Sequence, residues 1–405
     1  MREQTDRRKR ILIAVVGFVV SAIATVVAFE PAPAPPAAAA KSGPAGSDDA
    51  EPAVGKSREL RFGLSYADTL TWMSDGELNA SLDDARKLGA QWIRVDLAWN
   101  NIEPDIPGRY EWHRFDRVAD AARARGLEVL ATVAYTPAWA RVEGCVKGLR
   151  CAPADPAAFA DFTRRATERY APKGVHTWQI WNEPNIPFWS PKPDPAAYTK
   201  LLKSSSRAIK SVDPGATVLM GGLASVSSDD LHIAHSEFLR AVAKLGALDA
   251  VDAISYHPYT YPHLASARTK YGSAFEDISA SENNLASILE LYGKPKMPIW
   301  LTETGAPTSG PGNVSDGTRI PANTTHVTEE FQARIAEDLV TTTGANPRVA
   351  VLFWFADQDS ARVKDNRSKS RYFGLRRFDG SAKPSFKALQ KAIAAYKKSR
   401  PDAAG

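Results

Sequence analysis

Two glutamates, Glu183 and Glu303, lie where apolar runs of the sequence end in polar residues. Glu183 is part of "TWQIWNEPN" and Glu303 is part of "PIWLTETG". A carboxylate at the end of a buried run is costly to desolvate, so a partner or a reaction must account for it. Two carboxylates at one site can protonate a leaving oxygen and stabilise or capture an oxocarbenium-like carbon, which is the chemistry that hydrolysis of a glycosidic bond requires.

The elements that must position these glutamates are short apolar runs separated by helical patterns. Eight such runs cover residues 60–66, 92–99, 127–135, 175–182, 217–223, 251–257, 298–303 and 349–355. Helices are predicted over residues 76–90, 114–126, 155–171, 195–211 and 384–398, because apolar residues recur there at helical spacing. Strands that alternate with helices and are apolar on both faces are typical of a parallel sheet.

Eight strand-helix units predict an α/β fold, the (β/α)8 TIM barrel, over residues 59–398. The alternative is an open doubly wound sheet, which would normally show a Gly-rich phosphate turn after its first strand; "GLSYADTLTW" lacks one. A barrel places its active-site groups at the carboxyl ends of the strands. Glu183 and Glu303 would then reach one mouth from the fourth and seventh strands.

Other polar and aromatic residues end the same runs and are candidates for the same mouth. The polar candidates are Arg94, Asp96, Asn182, His257 and Tyr259, and the aromatic candidates are Trp99, Trp139, Trp189 and Trp354. Structural roles are the alternatives, since Arg94 could simply neutralise Asp96 and His257 could be a satisfied residue at a strand end. The first three tryptophans could be packing residues, whereas Trp354 is the ring best suited to support a sugar.

Several motifs resemble those of clan A glycoside hydrolases, in which catalytic glutamates lie on the fourth and seventh strands. These motifs are "IWNEPN", "WLTETG", "WIRVDLAW" and "FWF". A narrower resemblance, to family 39-like enzymes and related cellulase-family proteins of bacterial envelopes, rests on "VAYTPAWA", "ISYHPYTYP" and "YFGLRRFDGSAKPSFKAL". The similarity covers roughly residues 60–395.

The resemblance implies a retaining hydrolase in which Glu183 is the general acid/base and Glu303 the nucleophile. It implies that Asn182 binds the 2-hydroxyl of the substrate and that Arg94 holds the charge of Glu303. Substrate contacts are further expected from His257, Tyr259, Trp354 and, at the rim, Trp99. No metal or cofactor is implied. Many clan members have a histidine near the end of the third strand, where this chain has "AYT" at 134–136 instead.

The first 58 residues predict attachment to a membrane. Residues 1–10 hold five basic and two acidic residues, and the nineteen residues 11–29 carry no charge. A helix of that length nearly spans a hydrocarbon core of roughly 30 Å. The predicted order is a cytoplasmic basic segment (1–10), a transmembrane anchor (11–29), a Pro/Ala-rich linker (30–58) and an extracytoplasmic catalytic domain. A cleaved signal peptide, which would make the protein secreted, is the alternative.

The net charge bears on which partners the protein is expected to bind. Of the net charge of +5 over 405 residues, residues 1–10 contribute +3, and the remaining +2 gives no reason to expect nucleic acid.

Cys145 and Cys151, the only cysteines of the sequence, are predicted to form a disulfide that closes a short loop. We expect a monomer that acts on a polysaccharide or oligosaccharide.

The expected function is hydrolysis of O-glycosidic bonds in a cell-envelope or extracellular polysaccharide. Two alternatives stay open. One is an exo-acting glycosidase such as a β-xylosidase or a galactofuranosidase, and the other is a non-catalytic carbohydrate-binding or scaffold protein built on a hydrolase barrel.

Overall fold

The computed structural model describes residues 59–145, 148–270 and 272–400. Eight strands form a closed parallel barrel in the order β1-β10-β7-β6-β5-β4-β3-β2, which confirms the predicted (β/α)8 fold. The barrel strands are β1 (Arg61–Ser65), β2 (Trp92–Ala98), β3 (Glu128–Ala134), β4 (Thr177–Asn182), β5 (Thr217–Ala224), β6 (Ile254–His257), β7 (Ile299–Thr304) and β10 (Val349–Phe355). Two short strands, β8 (Asn313–Ser315) and β9 (Thr324–Val327), form a separate sheet in the loop after β7.

Helices connect the barrel strands. They are α1 (Thr69–Trp72), α2 (Asp75–Leu88), α3 (Trp99–Ile102), α4 (His113–Arg123), α5 (Pro156–Tyr170), α6 (Pro195–Val212), α7 (His235–Lys244), α8 (Glu276–Ser279), α9 (Leu285–Leu291), α10 (Glu329–Gly344) and α11 (Pro384–Lys398). The five predicted helices are present within a few residues of their expected bounds. Helices α7, α9 and α10 and the short helices α1, α3 and α8 were not predicted.

Local sequence explains where the main helices begin. Before α2, the Ser74 hydroxyl accepts a hydrogen bond from the Glu77 amide while the Glu77 carboxylate accepts one from the Ser74 amide. Helices α5 and α6 each begin with a proline that follows an aspartate, Asp155 or Asp194, whose side chain accepts from the first helical amides.

The barrel interior is closed by apolar side chains beneath the mouth. They are Trp92, Leu130, Leu219, Ala253, Trp300, Ala350, Val351 and Phe353. The rings of Trp92 and Trp300 meet edge to face with centroids 5.1 Å apart. Gly63 has no side chain because the Phe353 ring occupies the space that a Cβ would need. These apolar side chains form a plug beneath the polar side chains of the mouth.

The predicted disulfide is present and joins Cys145 to Cys151. It closes part of the loop between β3 and α5, as the sequence indicated. No helix within the described ranges is both long enough and apolar enough to cross a bilayer. The predicted basic segment, anchor and linker (1–10, 11–29 and 30–58) lie outside these ranges.

Candidate active site

The end of β4 has an unusual backbone that turns polar side chains into the mouth. Trp181 and Glu183 have positive φ angles of 71° and 46°, a conformation that costs energy for non-glycine residues and persists only where the surroundings hold it. Here the Glu183 amide donates to the Gly222 carbonyl on the neighbouring strand at 2.9 Å. With the positive φ angle at Trp181, its ring lies in the outer core, while the next side chain, Asn182, contacts Arg94 inside the barrel.

A glycine pair on β5 makes room for this arrangement. A Cβ at Gly221 would lie 2.8 Å from the Ile180 carbonyl oxygen, and a Cβ at Gly222 would overlap the His257 ring. The "MGGLAS" sequence therefore has a structural role at the site that its composition alone did not reveal.

The predicted carboxylates meet at the mouth. One oxygen of Glu183, one oxygen of Glu303 and a ring nitrogen of His257 all lie within 4.8 Å of one another. Each glutamate side chain is 13 % exposed, so both are largely shielded and still reachable by a substrate. A pair at this separation can act on the two sides of one bond.

Glu303 is held as an anion by two donors. Arg94 Nη1 lies 2.6 Å from its Oε1, and the Tyr259 hydroxyl donates to its Oε2 at 2.7 Å. Burial opposes ionisation, but the charges of His257 and Arg94 and the hydrogen bonds outweigh it, so the pKa of Glu303 is lowered. Burial and the nearby Glu303 charge raise the pKa of Tyr259 well above its usual value, so Tyr259 keeps the proton that it donates.

Arg94 connects four strands of the barrel. Besides Glu303 on β7, its guanidinium donates to Ser65 Oγ on β1 at 2.9 Å and to Asn182 Oδ1 on β4 at 2.6 Å. Its side chain is 1 % exposed. These contacts show that neutralising Asp96 is not its main role, and they bring the predicted residues Arg94, Asn182 and Glu303 together.

Asp96 lies one inward position above Arg94 on the same strand. The hydroxyl of Tyr135 donates to its Oδ2 at 3.2 Å. Burial and the charges of Asp68 and Glu303 together raise the pKa of Asp96 to about 7, against the opposing effect of Arg94. Tyr135 thus occupies this wall of the mouth, where the sequence departs from many clan members, and neither it nor Asp68 was predicted as a site residue.

His257 bridges the two glutamates. Its Nδ1 lies 3.0 Å from Glu183 Oε1 and 3.8 Å from Glu303 Oε2, and its Nε2 lies 3.0 Å from Thr302 Oγ1. The ring has no exposed surface. When Glu183 is ionised, Nδ1 can donate to it; when Glu183 is protonated, its hydroxyl can donate to Nδ1. His257 is therefore placed to orient Glu183 in both protonation states.

The structure corrects the expected roles of two tryptophans. Trp99 has no exposed surface, donates from Nε1 to Glu103 Oε2 at 2.6 Å, and stacks on Phe162 with centroids 5.6 Å apart. Trp354 is 2 % exposed and donates to the Phe373 carbonyl at 3.1 Å. Neither ring presents a face to the mouth. Both are packing residues, because a large apolar ring can be buried on the helix side of the barrel as well as at the mouth.

Phe355 is the aromatic ring that β10 supplies to the mouth instead. Side chains alternate along a strand, and Phe353 on the same face fills the barrel interior. Phe355 pairs in register with Ser65, the residue that contacts Arg94, and it is partly exposed. Of the other two predicted rim rings, Trp189 is buried, whereas Trp139 contacts Trp99 and stays partly exposed.

The same cluster offers donor atoms of the kind that bind metals. Within the described ranges, Glu183, His257 and Glu303 form the one group of three potential ligands. Both oxygens of Glu303 are already bound by Arg94 and Tyr259, however, and the guanidinium charge beside them disfavours a divalent cation.

Comparison with known proteins shows the family to which the chain belongs. Residues 55–344 match the family model of the cellulases, glycosyl hydrolase family 5. The chain belongs to this glycoside hydrolase family. Family 5 is a clan A family, whose members retain anomeric configuration. The clan resemblance noted in the sequence is thereby confirmed.

The chain is also similar in sequence to a beta-xylosidase. A beta-xylosidase of Geobacillus stearothermophilus is 28 % identical over 219 residues, which are 50 % of this chain and 42 % of the xylosidase. The chain therefore spans less than half the length of that relative.

Solved structures with 20–23 % identity share the fold. A family 39 glycoside hydrolase of Bacteroides cellulosilyticus is 23 % identical with a TM-score of 0.64, covering 83 % of this chain and 64 % of that one. A family 5 enzyme (subfamily 18) of Streptomyces cattleya is 20 % identical with a TM-score of 0.62, covering 85 % and 82 %. A monomeric beta-xylosidase of Caulobacter crescentus is 20 % identical with a TM-score of 0.60, covering 83 % and 68 %.

Proposed function

We propose that the protein is a glycoside hydrolase that works by double displacement, with Glu303 as nucleophile and Glu183 as general acid/base. The observation that carries the proposal is the approach of the two carboxylates to within 4.8 Å, measured between oxygens. Retaining enzymes place their carboxyl groups about 5–5.5 Å apart, whereas inverting enzymes need about 6.5–9.5 Å to admit a water molecule between carboxylate and sugar.

In the first step, an oxygen of Glu303 bonds to the anomeric carbon while the glycosidic bond breaks. Glu183 gives its proton to the leaving oxygen, so the alcohol departs neutral. Arg94 and Tyr259 keep Glu303 ionised until it attacks, and Asn182, fixed by Arg94, is placed to bind the neighbouring hydroxyl of the sugar.

In the second step, water releases the sugar from Glu303. Glu183, now ionised, removes a proton from the water as its oxygen bonds to the anomeric carbon, and the ester bond to Glu303 breaks. The proton returns Glu183 to its acid form. His257 contacts Glu183 throughout and preserves its orientation as its charge changes.

We infer that the substrate is a polysaccharide of the cell envelope or extracellular matrix. The uncharged run 11–29 and the Pro/Ala-rich linker support a catalytic domain held outside a membrane. An exo-acting β-xylosidase is the second candidate, favoured by the similarity to the Geobacillus xylosidase. A non-catalytic binding protein is disfavoured because both carboxylates are present at a productive separation.

The function is tested with the full-length protein in detergent and with its Glu183→Gln variant. Both are incubated with aryl glycosides, including aryl β-xyloside, and with a panel of bacterial envelope polysaccharides, and newly formed reducing ends are measured. We expect release from at least one polysaccharide by the unmutated protein only. Turnover of aryl xyloside without any polysaccharide would favour the exo-glycosidase, and saturable binding without turnover would favour the binding protein.

The location is tested separately in cells. A tagged full-length protein should sediment with membranes and lose its catalytic domain to protease added outside the cytoplasm. A tagged domain found free in the medium would support signal-peptide cleavage instead.

A further inference from the structure

One strongly basic segment lies on the loop that follows β10. Residues 362–371 contain five basic residues and one acidic residue. Residues 362–367 are exposed and residues 368–371 are partly exposed. Because this loop follows the carboxyl end of a barrel strand, it lies on the same face as the catalytic glutamates.

The segment is a folded loop rather than a loose strand of charges. The Ser360 amide donates to the Arg371 carbonyl at 2.9 Å, and the Tyr372 hydroxyl donates to the Arg362 carbonyl at 2.8 Å. These bonds bring its two ends together. The basic side chains are therefore displayed on a closed loop at the edge of the mouth.

Nearby acidic residues do not cancel this charge at the surface. Asp357 and Asp359 precede the segment, but they are only 3 % and 5 % exposed. Asp359 pairs with the buried Lys383 at 2.8 Å, and Asp357 accepts a hydrogen bond from Ser81. Both carboxylates are directed inward, so the exposed segment remains positive.

Aromatic rings connect the segment to the nucleophile. Tyr259 contacts Glu303 and lies beside Tyr261, with ring centroids 6.3 Å apart. Lys369, within the basic segment, places its ammonium 5.3 Å from the centre of the Tyr261 ring. A path of two aromatic rings thus leads from the reacting position to the basic loop.

We propose that residues 362–371 bind acidic sugar units that flank the reacting sugar, so that the substrate is an anionic polysaccharide. This inference rests on the proposed function and names its substrate class. Aromatic rings can support sugar rings, and exposed cations attract carboxylates along the same path.

Binding is tested with full-length Glu303→Gln protein, so that the result does not depend on turnover. The probes are a fluorescein-labelled oligogalacturonide of about ten units and the same oligomer after reduction of its carboxyl groups to alcohols. Fluorescence anisotropy is followed at about 50 mM and about 500 mM salt, because added salt screens exposed charges. We expect about tenfold tighter binding of the acidic oligomer at low salt, and little preference at high salt.

Matched variants then locate the interaction. Lys364, Arg367 and Lys369 are changed together to Gln in the Glu303→Gln protein, and the control changes three exposed lysines of α11, Lys387, Lys391 and Lys398, to Gln. The loop variant should lose the preference for the acidic oligomer, whereas the equally charged control should keep it. The proposal would be overturned if the Glu303→Gln protein with an unchanged loop showed no preference for the acidic oligomer. It would also be overturned if both variants lost that preference equally.

A lipid surface is the competing partner for a basic loop. Vesicles with about 30 % phosphatidylglycerol are therefore tested against the same two variants. Loop-dependent vesicle binding without preference for the acidic oligomer would overturn the proposal. Hydrolysis of neutral polymers with no acidic preference would refute this inference alone, whereas acidic preference without hydrolysis of any glycoside would refute the catalytic function alone.

Discussion

The guanidinium of Arg94 lies 2.6 Å from Glu303 and orients the carboxylate for its proposed role as nucleophile. The same group contacts Asn182, the residue directly before Glu183. One buried cation therefore links β4 and β7, the strands that position the two glutamates.

Replacing Arg94 should impair chemistry more than binding. We expect Arg94→Met to lower kcat by about 100-fold or more, because a buried charge-assisted hydrogen bond to the nucleophile is lost. The pKa of Glu303 is lowered against burial partly by Arg94, so its loss should raise that pKa and move the acidic limb of the pH profile to higher pH. Arg94→Lys, which keeps the charge, should show a smaller shift. An unmoved acidic limb in Arg94→Met would contradict this role.

Tyr259→Phe removes one donor and leaves the ring. A hydrogen bond to a charged group contributes about 1.5–3 kcal/mol, so kcat/KM should fall by about 10- to 100-fold. The acidic limb should again move to higher pH, since the tyrosine no longer stabilises the ionised form of Glu303. Tyr261→Phe serves as the control on the adjacent ring, and an equal loss in both variants would point to packing instead.

Glu183→Ala should show the loss of an acid/base. Substrates with poor leaving groups should lose most activity, because they need the proton, whereas activated aryl glycosides should still form the ester with Glu303. Added azide should then restore turnover and give a glycosyl azide of retained configuration. An azide product of inverted configuration would exchange the roles assigned to Glu183 and Glu303.

Gly222→Ala should damage the site through His257. A Cβ at Gly222 overlaps the His257 ring, so the ring must move away from Glu183, with a stability cost of about 1–3 kcal/mol for overpacking. The midpoint temperature of thermal unfolding and kcat should both fall. Gly76→Ala, where a Cβ meets open space near the start of α2, should leave both nearly unchanged, and a Gly222→Ala protein with full activity would exclude this role for the glycine.

The fold and the meeting of Glu183 with Glu303 at one mouth could be predicted from the sequence, because both depend on repeated patterns. Eight apolar runs alternating with helices predict the barrel, and polar residues at run ends predict Glu183 and Glu303. The choice between Trp354 and Phe355 could not be predicted. Strands of a parallel barrel are buried on both faces, so the run "VLFWF" does not show which side chains face inward.

Backbone geometry was the second feature of the site that could not be predicted from the sequence. The positive φ angles at Trp181 and Glu183 change which side chains of β4 reach the mouth, and nothing in "IWNEPN" reports them. The need for Gly222 follows from the position of His257 on a neighbouring strand, which only the fold reveals. The short strands β8 and β9 lie in a segment rich in Gly, Pro and Thr that reads as a loop.

The most direct test of the double-displacement mechanism is the configuration of the first product. The full-length protein is mixed with a substrate that it cleaves, and the anomeric protons of the released sugar are followed by NMR from the first minutes, before mutarotation. Glu303 and Glu183 at their observed separation predict that the first signal has the anomeric configuration of the substrate. A first signal from the opposite anomer would show inversion and would contradict a covalent intermediate on Glu303.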